Sequence, residues 1–355
     1  MTWFLRPDAF SAFENEEIRD TIPRYIRVVR REEPPLFRLA QRIFLDVDGD
    51  PWTAHDEGLQ ILSKCVVEGE CPKEKKDGRI SLLELKALLA KDLLRECRLC
   101  EWKCGVNRLK GEIGVCRVRD SRVASAFIHM GEEAPITPSG TIFFAGCNFR
   151  CVFCQNWDIS QFPESGRRVD ERGLASIMDE LRRQGARNIN LVGGEPTPNL
   201  PLIISSLNLV REDFPVVWNS NMYMSEEAMK LLLGLVDLWL PDFKYWNDEC
   251  ARKYSGIPRY RETVTRNLKM AYEYPPGEMV LRHLVLPGHL DCCTGPILRW
   301  ISDNIPDILV NIMDQYRPEY RASKFEEINR RVTVEEMMRA YRLADELGLR
   351  WRSVS

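Results

Sequence analysis

The sequence has no apolar run near the roughly 18 residues that a membrane-spanning helix needs. Its best stretch, Leu231–Leu240, is short and carries Asp237. Charge of one sign is also missing. Lys and Arg total 50 against 53 Asp and Glu, a net of −3 over 355 residues, with a pI near 6.0. That balance leaves no electrostatic footprint for nucleic acid. The opening Met-Thr-Trp-Phe-Leu-Arg-Pro has no basic region ahead of an apolar core, and Glu14, Glu16 and Glu17 soon follow. No signal peptide is expected, and the cytoplasm is the expected location, with no membrane and no nucleic acid as partner. There is no low-complexity segment and no repeat beyond a strand–helix rhythm. The hydrophobic share of 44% excludes a disordered chain, and 41.3 kDa fits one large α/β domain with an accessory segment.

Cysteine, in contrast, is plentiful: there are twelve. In a reducing compartment, clustered cysteines point to metal or catalysis rather than to disulfides. Cys97, Cys100, Cys104 and Cys116 form one cluster; Cys147, Cys151 and Cys154 form another. Cys65, Cys71, Cys250, Cys292 and Cys293 lack ligand-like spacing and read as small buried hydrophobes or incidental thiols. The neighbours Cys292 and Cys293 could bind something, but vicinal pairs also arise without function.

The chain divides into a helical segment (1–95), a four-cysteine module (96–120), a linking strand and loop (121–140), a core (141–320) and a C-terminal helix (321–355). In the first segment, Asp46-Val-Asp-Gly-Asp50-Pro51 with Glu57 resembles a calcium loop, but Pro51 stands where the sharp turn needs glycine. The later Asp77–Glu84 stretch resembles the back half of such a loop, with Lys73 and Lys75 in its front positions. Both read as capped turns before helices. Leucines from Leu82 to Leu94 mark an amphipathic helix. Arg122–His129 alternates like a strand. Strands are then expected at Thr141–Ala145, Ile189–Val192, Val216–Trp218, Val236–Asp242, Met279–Leu286 and Ile308–Met313. Helices such as Glu171–Gln184, Glu226–Leu233 and Tyr260–Tyr272 separate some of them. Alternation of this kind implies a parallel sheet with helices outside. Six units are too few for a closed eight-unit barrel, so the expected fold is an open, partial (β/α)6 barrel of TIM type. Val332–Leu349 reads as a terminal amphipathic helix capped by Thr333 and ended by Gly348.

Cys147, Cys151 and Cys154, spaced C-x3-C-x2-C, follow the first expected barrel strand, at the strand end where α/β barrels build active sites. Three thiolates on a four-iron cubane leave one iron open to a non-protein ligand. A zinc site borrowing a fourth ligand is the bland alternative, but the spacing does not match paired zinc knuckles. With Phe153 before the last cysteine, this stretch resembles the signature of the radical S-adenosylmethionine (SAM) superfamily over about residues 141–316. The resemblance implies a [4Fe-4S] cluster on the three cysteines, with SAM on the open iron. Reductive cleavage of SAM to a 5′-deoxyadenosyl radical would then abstract hydrogen from a substrate. It implies an electron donor such as flavodoxin or ferredoxin, and places Phe153 near the adenine. Gly193-Gly194-Glu195-Pro196, one unit later, matches the superfamily's Gly-Gly-Glu motif, which holds the SAM amino group. Glycines let backbone approach a ligand, and an acceptor suits an amine.

Softer candidates lie at the later strand ends. Asn219-Ser220-Asn221 stands where the superfamily often contacts ribose. Asp242, Arg282 and Gln315 are further candidate SAM contacts. Lys244 and His283 are candidate catalytic groups that could position a substrate or shuttle a proton. Each has a plain alternative: a helix cap for Ser220 and Asn221, a local ion pair for Asp242 and Lys244, a satisfied core histidine for His283. Residues 97–335 look closest to the pyruvate formate-lyase activating enzyme-related group. Gly140–Asn148, Cys154–Ser160, Gly193–Pro198 and Gln315–Pro318 carry that likeness. The activating enzymes install a glycyl radical on a partner protein and generally lack both the first cysteine module and the leading segment. No long cysteine-bearing C-terminal domain and no cobalamin-type stretch is visible.

The first module, C-x2-C-x3-C-x11-C, offers four thiolates on a Gly-rich loop, suiting zinc, a single iron or an Fe–S cluster. The self-contained ligand set favours structural zinc; a second electron-feeding cluster is the rival. Arg98, Lys103, Arg108, Lys110, Arg117 and Arg119 around it could dock an acidic partner. The reading is a radical SAM enzyme that abstracts hydrogen from a protein or peptide, with a glycine as one possible target. The alternatives are a small metabolite or cofactor precursor as substrate, and a non-catalytic Fe–S redox sensor or scaffold.

Overall fold

The structure, a computed structural model, describes residues 6–69, 71 and 78–355; the Lys73–Lys76 charge run and Asp77 lie outside the described residues. Six parallel strands run in sequence order: β1 (Ser139–Phe144), β2 (Asn188–Gly193), β3 (Val216–Ser220), β4 (Leu238–Pro241), β5 (Val280–Leu284) and β6 (Leu309–Met313). Parallel ladders join β1 to β2, β2 to β3, β3 to β4 and β5 to β6. Single bridges, Trp239 to Met279 and Asp242 to Arg282, carry the sheet from β4 to β5. On the other side of β1 lies the antiparallel strand Arg122–His129. The result is an open, partial barrel, as the strand–helix rhythm predicts. The strands are almost wholly buried because helices cover one face and the lumen the other.

Helices α1 (Glu171–Arg183), α2 (Leu200–Leu207), α3 (Glu226–Leu232), α4 (Tyr260–Glu273) and α5 (Gly295–Asn304) form the outer layer, and α6 (Val334–Glu346) follows β6. Thr333 and Glu336 close the capping box at the start of α6. No described helix is long and apolar enough to cross a membrane.

The leading segment serves the barrel. Its helices Glu16–Thr21 and Pro23–Val29 close the N-terminal end of the barrel: Ile18, Ile22, Tyr25 and Ile26 pack with Val217, Leu238, Leu240, Val280 and Leu309. Arg24 pairs with buried Asp237 at 2.8 Å, and the backbone N–H groups of Arg24 and Tyr25 donate to the two oxygens of the Glu278 carboxyl group at 2.6 and 2.7 Å. Further on, the helix Leu82–Asp92 buries Lys86, whose ammonium donates to the carbonyls of Lys230, Leu231 and Leu233 at the end of α3. The calcium-like loop is a helix cap, as read from Pro51: Asp50 accepts from the Thr53 N–H, and Asp46 pairs with Arg79.

Candidate functional site

Cys147, Cys151 and Cys154 sit on the loop that leaves the C-terminal end of β1. The loop is held on several sides. The backbone N–H groups of Arg150 and Val152 donate to the carbonyls of Ser255 and Tyr254, and the Arg150 guanidinium donates to the carbonyls of Cys147 and Phe149. Each sulfur has a donor. The Phe149 N–H reaches Cys147 Sγ at 3.3 Å, the Ser255 hydroxyl donates to Cys151 Sγ at 3.0 Å, and Cys154 Sγ lies 3.2 Å from Ser160 Oγ and accepts from the Asn156 N–H. Burial raises all three thiols, Cys151 to about 12; beyond burial, Glu195 and Cys151 push Cys147 up further, and Cys154 does the same to Cys151. Three thiols, two buried and one half-buried, with sulfur-directed donors ionise together only against a multivalent cation, so the residues fit an Fe–S cluster.

The next edge needs its glycines for close approach. A Cβ on Gly193 would lie 2.1 Å from the Phe144 nitrogen, and one on Gly194 would lie 2.3 Å from the Gly146 carbonyl oxygen. Gly193 also adopts φ +120°, which side chains resist. Glu195 is buried and accepts from the Thr197 N–H and hydroxyl at 3.2 and 2.5 Å, from the Ser220 hydroxyl at 2.7 Å and from the Asn221 N–H at 3.0 Å. Burial raises its pKa against those four donors. It therefore ties the β2 edge to the β3 edge. Asn221 continues the tie to the cysteine loop, donating to Asn148 Oδ1 at 2.8 Å.

The structure brings several candidates together and sets others apart. Lys244 pairs with Asp242 at 2.7 Å; burial opposes its charge, but Asp242 and Cys151 hold its pKa above the usual ammonium value. Phe153 is buried edge-on against Tyr245 and Tyr316. Gln315 is exposed, and its carbonyl accepts from Gln155. His283 lies in the core with both ring nitrogens used, Nδ1 2.7 Å from the Phe243 carbonyl and Nε2 2.9 Å from Thr294 Oγ1. Burial lowers its pKa to about 4. This is the satisfied core histidine, with no ring nitrogen left for a substrate. Arg282 points elsewhere, pairing with Glu132 and with Glu133.

Those two glutamates were not singled out from the sequence. With Asn190, which donates to Glu132, and Asn311, which donates to Glu133, they build a buried polar cluster in the lumen. Asn190 Oδ1 has no partner among the described residues. The strand Arg122–His129 adds Phe127, 42% exposed and stacked on Phe143 at 5.6 Å. Beside Cys154, Trp157 (38% exposed) meets Phe162 (53% exposed) and stacks on Tyr320 at 5.5 Å.

The four-cysteine module docks against this centre. Trp102 Nε1 donates to the Asn148 carbonyl at 2.9 Å, and Cys100 bridges to Met224 beyond β3. Cys100, Cys104 and Cys116 accept from the N–H groups of Trp102, Val115 and Val118. Of the surrounding cations, Arg108 is buried on the Pro198 carbonyl, Arg117 donates to the Gln161 carbonyl, and Arg98 and Lys103 pair with Glu227 and Glu101. Those four thus serve the fold locally.

Comparison with known proteins matches residues 141–301 to the radical SAM superfamily. The uncharacterized protein MJ0674 of Methanocaldococcus jannaschii is 40% identical over 337 residues, 92% of this chain and 97% of that protein. The 7-carboxy-7-deazaguanine synthase of Aquifex aeolicus is 33% identical over 100 residues, 28% of this chain and 43% of that protein. Among solved structures, Streptococcus suis SuiB bound to the precursor peptide SuiA has a TM-score of 0.41 at 13% identity, covering 58% of this chain and 46% of that one. HydG, a maturase of the [FeFe]-hydrogenase, also has a TM-score of 0.41, at 12% identity, covering 96% of this chain and 64% of that one. The chain thus spans about half the length of SuiB.

Proposed function

The chain belongs to the radical SAM superfamily and is an enzyme; on that premise we propose that it removes a hydrogen atom from a protein or peptide substrate docked at the open side of the barrel. Cys147, Cys151 and Cys154 hold the Fe–S cluster in this reading. Gly193 and Gly194 offer backbone to SAM, with Phe153, Ser220, Asn221 and Asp242 around it. Bound there, the cluster and SAM together supply the radical chemistry that removes hydrogen. Glu195 keeps two strand ends in register. Lys244 holds a proton and a positive charge beside the cluster loop. The Cys97–Cys116 module holds zinc or iron and braces that loop through Trp102; metal analysis distinguishes the two.

The polypeptide reading rests on one observation: the large aromatics beside the cysteine loop and along the open edge, Trp157, Phe162 and Phe127, are exposed. Trp157 and Phe162 touch one another beside Cys154, and exposed apolar rings next to a candidate site suit an interaction surface. The test uses a deuterium-labelled extract of the source cells, split into macromolecular and small-molecule fractions. Reconstituted enzyme with SAM and reductant should incorporate deuterium into 5′-deoxyadenosine from the macromolecular fraction. Label from the small-molecule fraction alone would refute the reading. A metabolite substrate is the second reading, favoured by the Arg282–Glu132–Glu133 cluster and the unpartnered oxygen of Asn190.

A further inference from the structure

Cys250, Cys292 and Cys293 belong to neither cysteine module, and spacing alone gives no reason to join them. The fold does. Cys250 lies on the helix Asp248–Ser255, while Cys292 and Cys293 lie on the π-helical turn Leu290–Thr294 before α5. Their three sulfurs lie within 4.8 Å of one another, the one such trio of potential metal ligands among the described residues. We propose that these three thiolates form a further metal site, a seat for a single thiophilic cation such as zinc(II).

Four observations support it. First, a metal–thiolate bond of about 2.3 Å places neighbouring sulfurs about 3.8 Å apart, and the Cys292 and Cys293 sulfurs are 3.9 Å apart. Second, the donor set contains sulfur only, which selects soft or borderline ions over magnesium or calcium. Third, Cys293 is buried and its sulfur accepts from the N–H groups of Trp246 and Asn247, donors that offset part of the cost of a buried thiolate. Fourth, Cys250 and Cys292 are half-buried, which leaves an entry path and room for a solvent ligand. His289 does not complete the site, since its Nε2 lies 3.0 Å from the Tyr254 hydroxyl and its Nδ1 2.8 Å from the Pro287 carbonyl. Burial raises the Cys250 and Cys293 thiols, and the neighbouring thiols raise them further, so their joint ionisation needs a cation.

The site has a structural consequence. The helix that begins near Cys250 ends at Ser255, whose hydroxyl donates to Cys151. An ion on Cys250 fixes one end of that helix and thereby steadies the donor at the other.

The test uses full-length protein with iron and sulfide already restored, kept reduced and anaerobic. Zinc is added, excess is removed with a chelator, and bound zinc is measured. The unmutated protein should keep one more zinc per chain than Cys250→Ser or Cys293→Ser at equal iron content. Cobalt(II) in place of zinc should add thiolate-to-metal charge-transfer intensity beyond that of the four-cysteine module, and both variants should lack that addition. Equal zinc in all three proteins would overturn the proposal. A second measurement needs no variant: zinc should slow alkylation of Cys250, Cys292 and Cys293 together, read by mass spectrometry. Unchanged labelling, or a disulfide within the trio in the anaerobically prepared protein, would equally overturn it.

Discussion

The Ser255 hydroxyl donates to the Cys151 sulfur across 3.0 Å and lies 2.7 Å from the Tyr245 hydroxyl. Hydrogen bonds to ligand sulfur raise the potential of an Fe–S cluster by stabilising the reduced, more negative state. Ser255→Ala should therefore assemble the cluster at normal iron content but lower its midpoint potential. A redox titration followed by electron paramagnetic resonance checks this; an unchanged potential would show that the bond does not act on the cluster.

Glu195 gathers four donors from Thr197, Ser220 and Asn221 on one buried carboxylate. Glu195→Gln replaces one acceptor oxygen with an amide that faces donors. Its cost should be about 2–4 kcal/mol, read as a lower denaturation midpoint, because buried charge-assisted bonds are expensive to lose. SAM affinity should fall as well, since the β2 and β3 ends lose their common anchor.

The leading segment should loosen as pH rises. Burial lifts the Glu278 carboxyl from 4.5 to about 8, against two backbone donors and nearby Arg24, with Asp237 adding repulsion. The folded state thus holds a proton that the unfolded chain releases near its ordinary value. This contribution is fully present below about pH 4.5 and is lost as pH rises through about 8. Thermal melts and hydrogen exchange over Glu16–Val29 should show lower stability and faster exchange at the alkaline end. Glu278→Gln should flatten that dependence.

Much of this architecture is legible in the sequence. All six barrel strands fall where apolar runs end in turn signals, and Arg122–His129 forms over its expected residues. The cysteine loop and Gly193–Glu195 are legible because their chemistry fixes residue type and spacing. Other groups were hidden for physical reasons. Glu132 and Glu133 follow the antiparallel strand Arg122–His129 rather than ending a barrel strand, and only the fold carries them to Arg282. His283 and Arg282 are adjacent in β5, but strand alternation sends them to opposite faces. Cys250 reaches Cys292 and Cys293 only through the packing of two helical elements. Ser255 gives no local signal at all.

The aromatic rim should separate substrate docking from SAM cleavage. Phe162→Ala and Trp157→Ala remove partly exposed rings, and the loss of the Trp157 stack on Tyr320 should cost on the order of 1 kcal/mol, too little to unfold the chain. Cleavage of SAM without substrate should persist. Deuterium transfer from the macromolecular fraction should drop together with either ring. Retained transfer in both variants would move the docking surface elsewhere.

Radical SAM chemistry at Cys147, Cys151 and Cys154 underlies every role assigned to the barrel mouth. Its most direct test is anaerobic: restore iron and sulfide, add SAM and a strong reductant, and measure 5′-deoxyadenosine beside a Cys151→Ala control. The unmutated protein should yield nucleoside and the control none. A fully iron-loaded protein that yields no nucleoside, or a control that yields as much, would contradict it.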